Sequence, residues 1–125
     1  MVLGVGIDLV EISRFESRSD DEDQAVLSDL FTVNEIAYCA SKRYPARHLA
    51  ARFAAKEAFL KALGTGARTP GEFLLVEVVT DELGAPEVKL HGAIAKRGEK
   101  FGVKSIRISL THTSTTAAAV VVVEG

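Results

Sequence analysis

Two carboxylates stand within otherwise apolar segments of the sequence, and both could hold a metal ion. Asp8 interrupts the apolar run Met1–Val10, and Glu57 lies within the stretch Ala50–Gly66. A carboxylate beside apolar surface is costly unless it is paired or bound to a cation. Mg²⁺ commonly takes one or two protein carboxylates together with phosphate oxygens and water. The two side chains could therefore bind magnesium against a phosphate-containing substrate.

Each carboxylate also has a plainer interpretation. Asp8 could be a turn or capping residue at the end of a strand. Glu57 could form a surface ion pair with Lys61, which follows one helical turn later. Spacing along the chain leaves both alternatives open.

Several cations and one polar turn could complete a phosphate site. Four basic residues could neutralise phosphates nearby, namely Arg14, Arg52, Lys56 and Lys61. His112 lies in the polar turn Thr111–Thr115, where it is either a structural hydrogen-bonding residue or a site residue. The short segment Gly64–Gly66 could approach a phosphate closely. There is no Gly-x-Ser-x-Gly motif and no zinc-binding spacing, and the single cysteine, Cys39, is expected to be a buried thiol.

A long central helix must position Glu57 and Lys61. We predict that it begins near Ala46 and stops at Gly64–Gly66, because the segment between is rich in strong helix formers. At about 100° per residue the helix has an apolar stripe facing the core and a stripe of small residues that another backbone or a ligand could approach. The stripes are Leu49, Phe53, Leu60 and Leu63, and Ala50, Ala54, Ala58 and Ala62. Gly4 and Gly6 weaken the first strand unless something packs close to its backbone.

The remaining segments predict shorter helices and antiparallel strands. Capping boxes are expected at Ser13–Glu16 and Thr32–Glu35, the second opening a helix through Ala40. Residues 73–80 and 87–90 are expected to form a hairpin, followed by a short helix over 93–100. Two further strands follow, over 106–110 and 117–124, and the last is apolar enough to be buried on both faces. The predicted class is α+β, with a mostly antiparallel sheet packed against the central helix, in a single domain over residues 1–125.

Composition narrows the class of protein. Hydrophobic residues make up 47% of the 125 residues and charged residues 26%, as in ordinary globular proteins. A net charge of -2 gives no reason to expect nucleic acid binding. No apolar run approaches the roughly 20 residues that span a bilayer, and no signal peptide is recognised at the N-terminus. We therefore expect a cytoplasmic protein without a membrane segment, in keeping with the single cysteine.

Three segments together resemble a known family. These are Gly4-Val-Gly-Ile-Asp-Leu-Val-Glu-Ile-Ser-Arg-Phe15, Arg52-Phe-Ala-Ala-Lys-Glu-Ala-Phe-Leu-Lys-Ala-Leu-Gly-Thr-Gly66 and Ser109-Leu-Thr-His-Thr113. They are similar to the signature segments of holo-[acyl-carrier-protein] synthase, the small trimeric class of 4′-phosphopantetheinyl transferases. The resemblance extends along almost the whole chain and implies that family's fold. It also implies Mg²⁺-dependent transfer of 4′-phosphopantetheine from coenzyme A to a serine of an apo acyl carrier protein, releasing adenosine 3′,5′-bisphosphate.

The resemblance further implies roles for individual residues. Asp8 and Glu57 would hold Mg²⁺, and Lys61 would contact the phosphates and stabilise the leaving group. Coenzyme A would meet a wider set, namely Arg52, Lys61, Gly64, Thr65, Gly66, His112 and Thr113. Arg14 and Arg18 would dock the acidic carrier protein. The serine proton could go to a metal-bound water or a carboxylate. The family's homotrimer places each site between subunits.

One departure and two alternatives accompany this interpretation. The run Asp20–Asp23 stands where the family usually carries basic residues, and it would repel an acidic carrier protein. The client, whether a fatty acid or a polyketide carrier, is left open. The first alternative is another Mg²⁺-dependent phosphoryl enzyme using the same two carboxylates. The second is a non-catalytic interaction domain.

Overall fold

The computed structural model describes residues 1–16 and 21–125 of the chain. In this part of the chain, five strands and four α-helices alternate with two short 3₁₀ helices. The strands are β1 (Val2–Glu11), β2 (Val76–Thr80), β3 (Pro86–Leu90), β4 (Ser105–His112) and β5 (Thr116–Glu124). The helices are α1 (Asp21–Leu30), α2 (Val33–Ala40), α3 (Pro45–Ala62) and α4 (Gly92–Phe101), and the 3₁₀ helices are Ile12–Phe15 and Pro70–Leu75. This set of helices and strands confirms the predicted α+β class.

Two antiparallel sheets pack against the central helix. The first has the order β1-β5-β4, and the second is the β2-β3 hairpin. Asp8 lies opposite Ala119 in the β1–β5 register, in the middle of the strand. The interpretation of Asp8 as a strand-end turn or cap is therefore wrong.

Helix α3 runs through the hydrophobic core of the molecule. Twelve of its residues are buried, and they include the predicted apolar residues Leu49, Phe53 and Leu60 as well as the whole predicted alanine stripe. Pro45 occupies the first turn, where its missing N–H has no intrahelical partner to lose. The helix ends at Ala62, and Gly64 and Gly66 follow with positive φ angles of 85° and 60°. The predicted central helix is confirmed, with its start one residue earlier.

Of the two predicted capping boxes one is present, and one predicted strand begins later than expected. The Thr32–Glu35 capping box is present, with both reciprocal hydrogen bonds. The Ser13–Glu16 box is wrong, because Ser13 lies inside the 3₁₀ helix Ile12–Phe15. The strand predicted from residue 73 begins at Val76, since the preceding segment continues as a 3₁₀ helix that starts at Pro70.

The last strand presents two unequal faces. Alternate residues of β5 from Ala117 to Val123 are buried, whereas Val120 on the other face is 37% exposed. Burial on both faces is therefore wrong for the single chain. Among the described residues, no helix combines the length and the apolar character needed to cross a lipid bilayer.

Candidate functional site

Asp8 and Lys61 meet between β1 and α3. The Nζ atom of Lys61 donates to Asp8 Oδ1 at 2.9 Å and to the carbonyl oxygen of Ile7 at 3.1 Å. The Asp8 side chain is mostly buried, whereas that of Lys61 is half exposed. An ammonium group has three donors, so Lys61 keeps one for a further acceptor. The expected Glu57–Lys61 surface pair is wrong in this respect, because Lys61 pairs with Asp8 instead.

A close approach of strand and helix brings these groups together. A Cβ atom at Gly6 would overlap the carbonyl oxygen of Ala58, and one at Gly4 would overlap that of Ala62. Only glycine leaves room for the backbone of β1 to lie this near a helix. The alanine stripe was predicted to admit another backbone or a ligand, and the structure shows the backbone of β1 there. This close approach places Asp8, two residues after Gly6, beside the last turns of α3.

The charges of Asp8 and Lys61 both act on the carboxyl group of Glu57. Its side chain is partly buried, and its pKa is raised above the ordinary value. Burial is the main cause and the negative charge of Asp8 is the second, while Lys61 and Arg14 act in the opposite direction. The negative charge of Asp8 therefore acts on the Glu57 carboxyl group. We call Asp8, Glu57 and Lys61 the carboxylate cluster.

The donor set of the carboxylate cluster fits magnesium. Hard oxygen ligands suit Mg²⁺, and a divalent ion would relieve the repulsion that raises the Glu57 pKa. Within the described residues, no group of three or more His, Cys, Asp or Glu side chains could hold a metal ion. Mg²⁺ takes one or two protein carboxylates when phosphate and water complete its shell, so this cluster supplies enough.

Arg14 reaches toward this cluster from the 3₁₀ helix Ile12–Phe15. Its guanidinium carbon lies 5.0 Å from the ring centroid of Phe53 and 5.8 Å from that of Phe15. The side chain is exposed, and its charge lowers the pKa of Glu57. The second predicted docking residue, Arg18, lies outside the described residues, as does Asp20 at the start of the acidic run.

Arg52 lies in a separate cavity of about 310 Å³. Its Nη2 donates to Thr80 Oγ1 at 2.7 Å, and its guanidinium carbon lies 4.2 Å from the ring centroid of Tyr38. Arg52 is only 3% exposed, and its Nε finds no hydrogen-bond partner among the described residues. His48 and His112 also line this cavity, with their ring centroids 6.2 Å apart. We call Tyr38, His48, Arg52, Thr80 and His112 the arginine pocket.

Thr113 and the glycine segment have local roles in the structure. The Thr113 hydroxyl accepts hydrogen bonds from the backbone N–H groups of Thr115 and Thr116, which shapes the turn between β4 and β5.

The glycine segment Gly64–Gly66 lies at the end of α3, where Thr65 accepts a hydrogen bond from Arg97 of α4. Gly64 and Gly66 face open space, so a ligand could reach the end of α3.

Lys56 is not available to a phosphate, which corrects the sequence prediction. It is completely buried, and its Nζ donates to Glu35 Oε1 at 2.7 Å and to the carbonyl oxygens of Phe73 and Val76 at 2.7 and 2.8 Å. Glu35 also accepts the N–H of Val78 at 3.0 Å. This network uses all three ammonium donors and joins α2 and α3 to the β2 segment.

Three members of the arginine pocket were missed by sequence reasoning, namely Tyr38, His48 and Thr80. They are brought together from α2, α3 and β2, and no spacing along the chain links them. His48 offered the one usable signal, since it lies four residues before Arg52 and so on nearly the same side of α3.

Comparison with known proteins supports one family. The sequence profile of the 4′-phosphopantetheinyl transferase superfamily matches residues 4–121. The chain is 45% identical over 124 residues to the holo-[acyl-carrier-protein] synthase of Geobacter sp. strain M21, covering 99% of both chains. It is 47% identical over 126 residues to the corresponding synthase of Treponema denticola, covering 100% of both.

Solved structures agree with the sequence relatives. The holo-[acyl-carrier-protein] synthase of Neisseria meningitidis superposes with a TM-score of 0.88 at 34% identity, over 100% of both chains. The Helicobacter pylori synthase, solved in complex with coenzyme A, gives a TM-score of 0.81 at 31% identity, over 96% of this chain and 99% of that one. This chain therefore belongs to the holo-[acyl-carrier-protein] synthase family of the 4′-phosphopantetheinyl transferase superfamily.

Proposed function

We propose that this chain transfers 4′-phosphopantetheine from coenzyme A to a serine of an apo acyl carrier protein. The serine oxygen attacks the β-phosphorus, the bond to the bridging oxygen breaks, and adenosine 3′,5′-bisphosphate leaves with that oxygen. The observation that carries the proposal is the carboxylate cluster, which supplies two oxygen ligands and one cation at a single edge of α3 in a chain of this family. We further propose that the enzyme acts in the cytoplasm as a single domain.

Magnesium is part of this proposal. Asp8 and Glu57 would hold it, and it would supply charge neutralisation for the diphosphate. Lys61 would turn its third donor toward a phosphate oxygen and stabilise charge on the leaving group. Because Asp8 fixes the position of Lys61 before substrate arrives, this ammonium needs little reorganisation during the reaction.

The carboxylate cluster and the arginine pocket lie on opposite sides of α3. Arg52 and Lys61 are nine residues apart, which is about half a turn in direction and about 14 Å along the helix axis. A coenzyme A molecule that uses both groups within one chain would have to pass around the helix. We propose instead that the site is formed between copies, with the carboxylate cluster of one subunit facing the arginine pocket of the next.

An exposed apolar face supports assembly. Val5, Ile7 and Leu9 on β1 are 60%, 65% and 70% exposed, and Val120 of β5 pairs with Ile7 beside them. A contiguous apolar surface of this kind on a small protein marks an interaction site. We propose that it forms the interface of a homotrimer. Ile7→Lys should dissociate the trimer in sedimentation analysis, whereas Val33→Lys, at an exposed apolar residue elsewhere, should leave it assembled.

Carrier-protein docking is proposed for Arg14 and Arg18. Arg14 is exposed and its charge reaches Glu57, so a carrier bound there would present its serine near the carboxylate cluster. Arg14→Glu should weaken carrier-protein binding more than coenzyme A binding, and Lys96→Glu on exposed α4 is the matched control. Equal effects of Arg14→Glu on both ligands would contradict this role.

A mass-shift assay tests the reaction itself. Apo carrier proteins of fatty acid and polyketide type are incubated with coenzyme A, Mg²⁺ and the enzyme, and a client gains the mass of one 4′-phosphopantetheine group. Glu57→Gln should abolish the gain while Glu99→Gln on α4 retains it. Release of adenosine 3′,5′-bisphosphate without a carrier protein would favour a phosphatase, and carrier binding without turnover would favour an interaction domain.

Mixed subunits test the shared site. Glu57→Gln and Arg52→Gln subunits should each be inactive alone, provided that circular dichroism shows both folded. In an equal, random mixture about one quarter of the interfaces pair an intact Glu57 with an intact Arg52, so activity should return to about 25% of wild type. A mixture that stays inactive would refute a site shared between subunits.

A further inference from the structure

The arginine pocket has the features of a built anion site. Arg52 is 3% exposed, and its Nη2 is held by Thr80 while its Nε has no acceptor among the described residues. A buried guanidinium N–H without an acceptor carries a desolvation cost that an anionic ligand would remove. The cavity of about 310 Å³ in front of it is large enough to admit a phosphate group.

His48 stands in this pocket between two other rings. Its ring centroid lies 6.2 Å from that of Tyr38 on α2 and 6.2 Å from that of His112 on β4, both in edge-to-face arrangements. The charged and titratable groups that face it are Tyr38 and Lys42 from α2 and its end, Arg52 from α3, and His112 from β4. No carboxylate is among these groups, so the surroundings of His48 are positive in the described part of the chain.

The charge state of His48 follows from these surroundings. Burial lowers the pKa of His48, and the charges of Arg52, His112 and Lys42 lower it further. The imidazole is therefore predominantly neutral at pH 7. A phosphate dianion placed among the same groups would offset their positive charge and favour the imidazolium.

Resting on the proposed function, we propose that His48 is a further coenzyme A-binding residue, which takes up one proton as the phosphomonoester of coenzyme A enters the arginine pocket. The proton comes from solvent, and no covalent bond is made or broken. The imidazolium then donates a hydrogen bond to the phosphate and adds to the charge of Arg52. Binding of coenzyme A is therefore linked to pH through this residue.

Calorimetry measures the linkage directly. Coenzyme A is titrated into the intact protein at pH 7 in buffers of different ionisation enthalpy, which gives the number of protons taken up. We expect uptake of a substantial fraction of one proton per site in wild type and clearly less in His48→Phe, which keeps a ring between Tyr38 and His112. An opposite charge raises a histidine pKa by about one unit or more, so the dissociation constant of His48→Phe should exceed that of wild type by a factor that grows toward about tenfold as pH falls.

Two controls separate the possible sources of a proton. The second ionisation of the phosphate occurs with both proteins, so the difference between wild type and His48→Phe reports the effect of removing the His48 imidazole. Dephospho-coenzyme A, which lacks the monoester but keeps the diphosphate, should show no such difference. An equal difference with this ligand would overturn the assignment to the monoester.

A measurement on wild type covers the case in which the variant fails to fold. The chain has three histidines, so the titration of each can be followed by nuclear magnetic resonance with and without coenzyme A. The His48 resonance should shift its midpoint upward by about one pH unit or more when the ligand is bound. An unchanged midpoint in a protein that binds coenzyme A and transfers its arm would overturn this inference alone. Failure to bind coenzyme A would overturn the proposed function with it.

Discussion

A methyl group added at Gly6 should separate the two halves of the carboxylate cluster. The added Cβ would lie 2.7 Å from the carbonyl carbon of Ala58 and 3.1 Å from its Cα, and nearer still to its oxygen, whereas ordinary contact begins at 3.4 Å. The obstacle is helix backbone, which cannot rotate away. Strand β1 must therefore move from α3 by at least about 1 Å.

The displacement should lower the stability of the fold and slow the transfer reaction. Overpacking of this kind costs about 1–3 kcal/mol of unfolding free energy. Asp8 follows Gly6 by two residues, so it moves with the strand away from Glu57 and Lys61. A misplacement of about 1 Å at a reacting group can cost about 100-fold in rate. We expect Gly6→Ala to fold with a lower thermal midpoint, to lose about two orders of magnitude in transfer rate, and to need more magnesium.

The assay follows transfer rate against Mg²⁺ concentration, together with thermal unfolding. Gly71→Ala is the matched control, because a Cβ there meets no heavy atom within 4 Å and its φ is not positive. Gly4→Ala would meet the carbonyl of Ala62 but lies farther from Asp8, so it should lose similar stability with a smaller loss of rate. If Gly6→Ala matched Gly71→Ala in rate at limiting magnesium, the close approach of β1 and α3 would not set the geometry of the cluster.

Three further predictions concern charged side chains. Lys56→Met should cost about 3–5 kcal/mol of unfolding free energy by chemical denaturation, because it leaves the buried Glu35 carboxylate without its partner, and adding Glu35→Gln should recover part of the loss. Without magnesium, Glu57→Gln should have a thermal midpoint at pH 8 equal to or above that of wild type, with the gap closing as pH falls. The reason is that a raised carboxyl pKa penalises the ionised form above that pKa. Burial raises the pKa of Glu77, but hydrogen bonds from Thr32 and His91 outweigh it, so the pKa is lowered. Its stabilising contribution is present above the ordinary value of 4.5 and is lost as pH falls below it, so acid unfolding of wild type should be steeper than that of Glu77→Gln.

Local sequence rules predicted the parts of the fold that depend on neighbouring residues. The central helix follows from composition and its glycine stop, and the Thr32–Glu35 box from a four-residue pattern. The packing of Gly4 and Gly6 against alanines was also foreseeable, because small residues in both segments left room for close contact. By contrast, residues 73–75 have a strand-like composition, yet they continue a 3₁₀ helix because Pro70 starts that helix and the chain must turn before β2.

Partners remote in sequence set the limit of prediction at the site. Lys56 and Lys61 have the same side chain on the same helix, and from the sequence we predicted that both could neutralise phosphates. Lys56 faces the β2 segment and is enclosed by Glu35 and two carbonyls, whereas Lys61 faces the edge of β1 and keeps half its surface in solvent. Which of the two is enclosed depends on the path of residues 73–78 across the helix. That path is fixed by tertiary packing, and no spacing within α3 encodes it.

Helix α3 also explains why the proposed site needs a second copy of the chain. Lys56 lies about 40° from Arg52 around the helix, Glu57 about 140°, and Lys61 about 180°. One side thus carries the pocket arginine and the buried lysine, and the other carries the carboxylate cluster. The core holds this helix on nearly every side, so its rotation is fixed and no loop movement can bring Arg52 to the side of Lys61. In the site that we propose, a ligand with a metal-held diphosphate at one end and a guanidinium partner at the other bridges two chains. Loss of the subunit interface should then abolish transfer even when each chain stays folded.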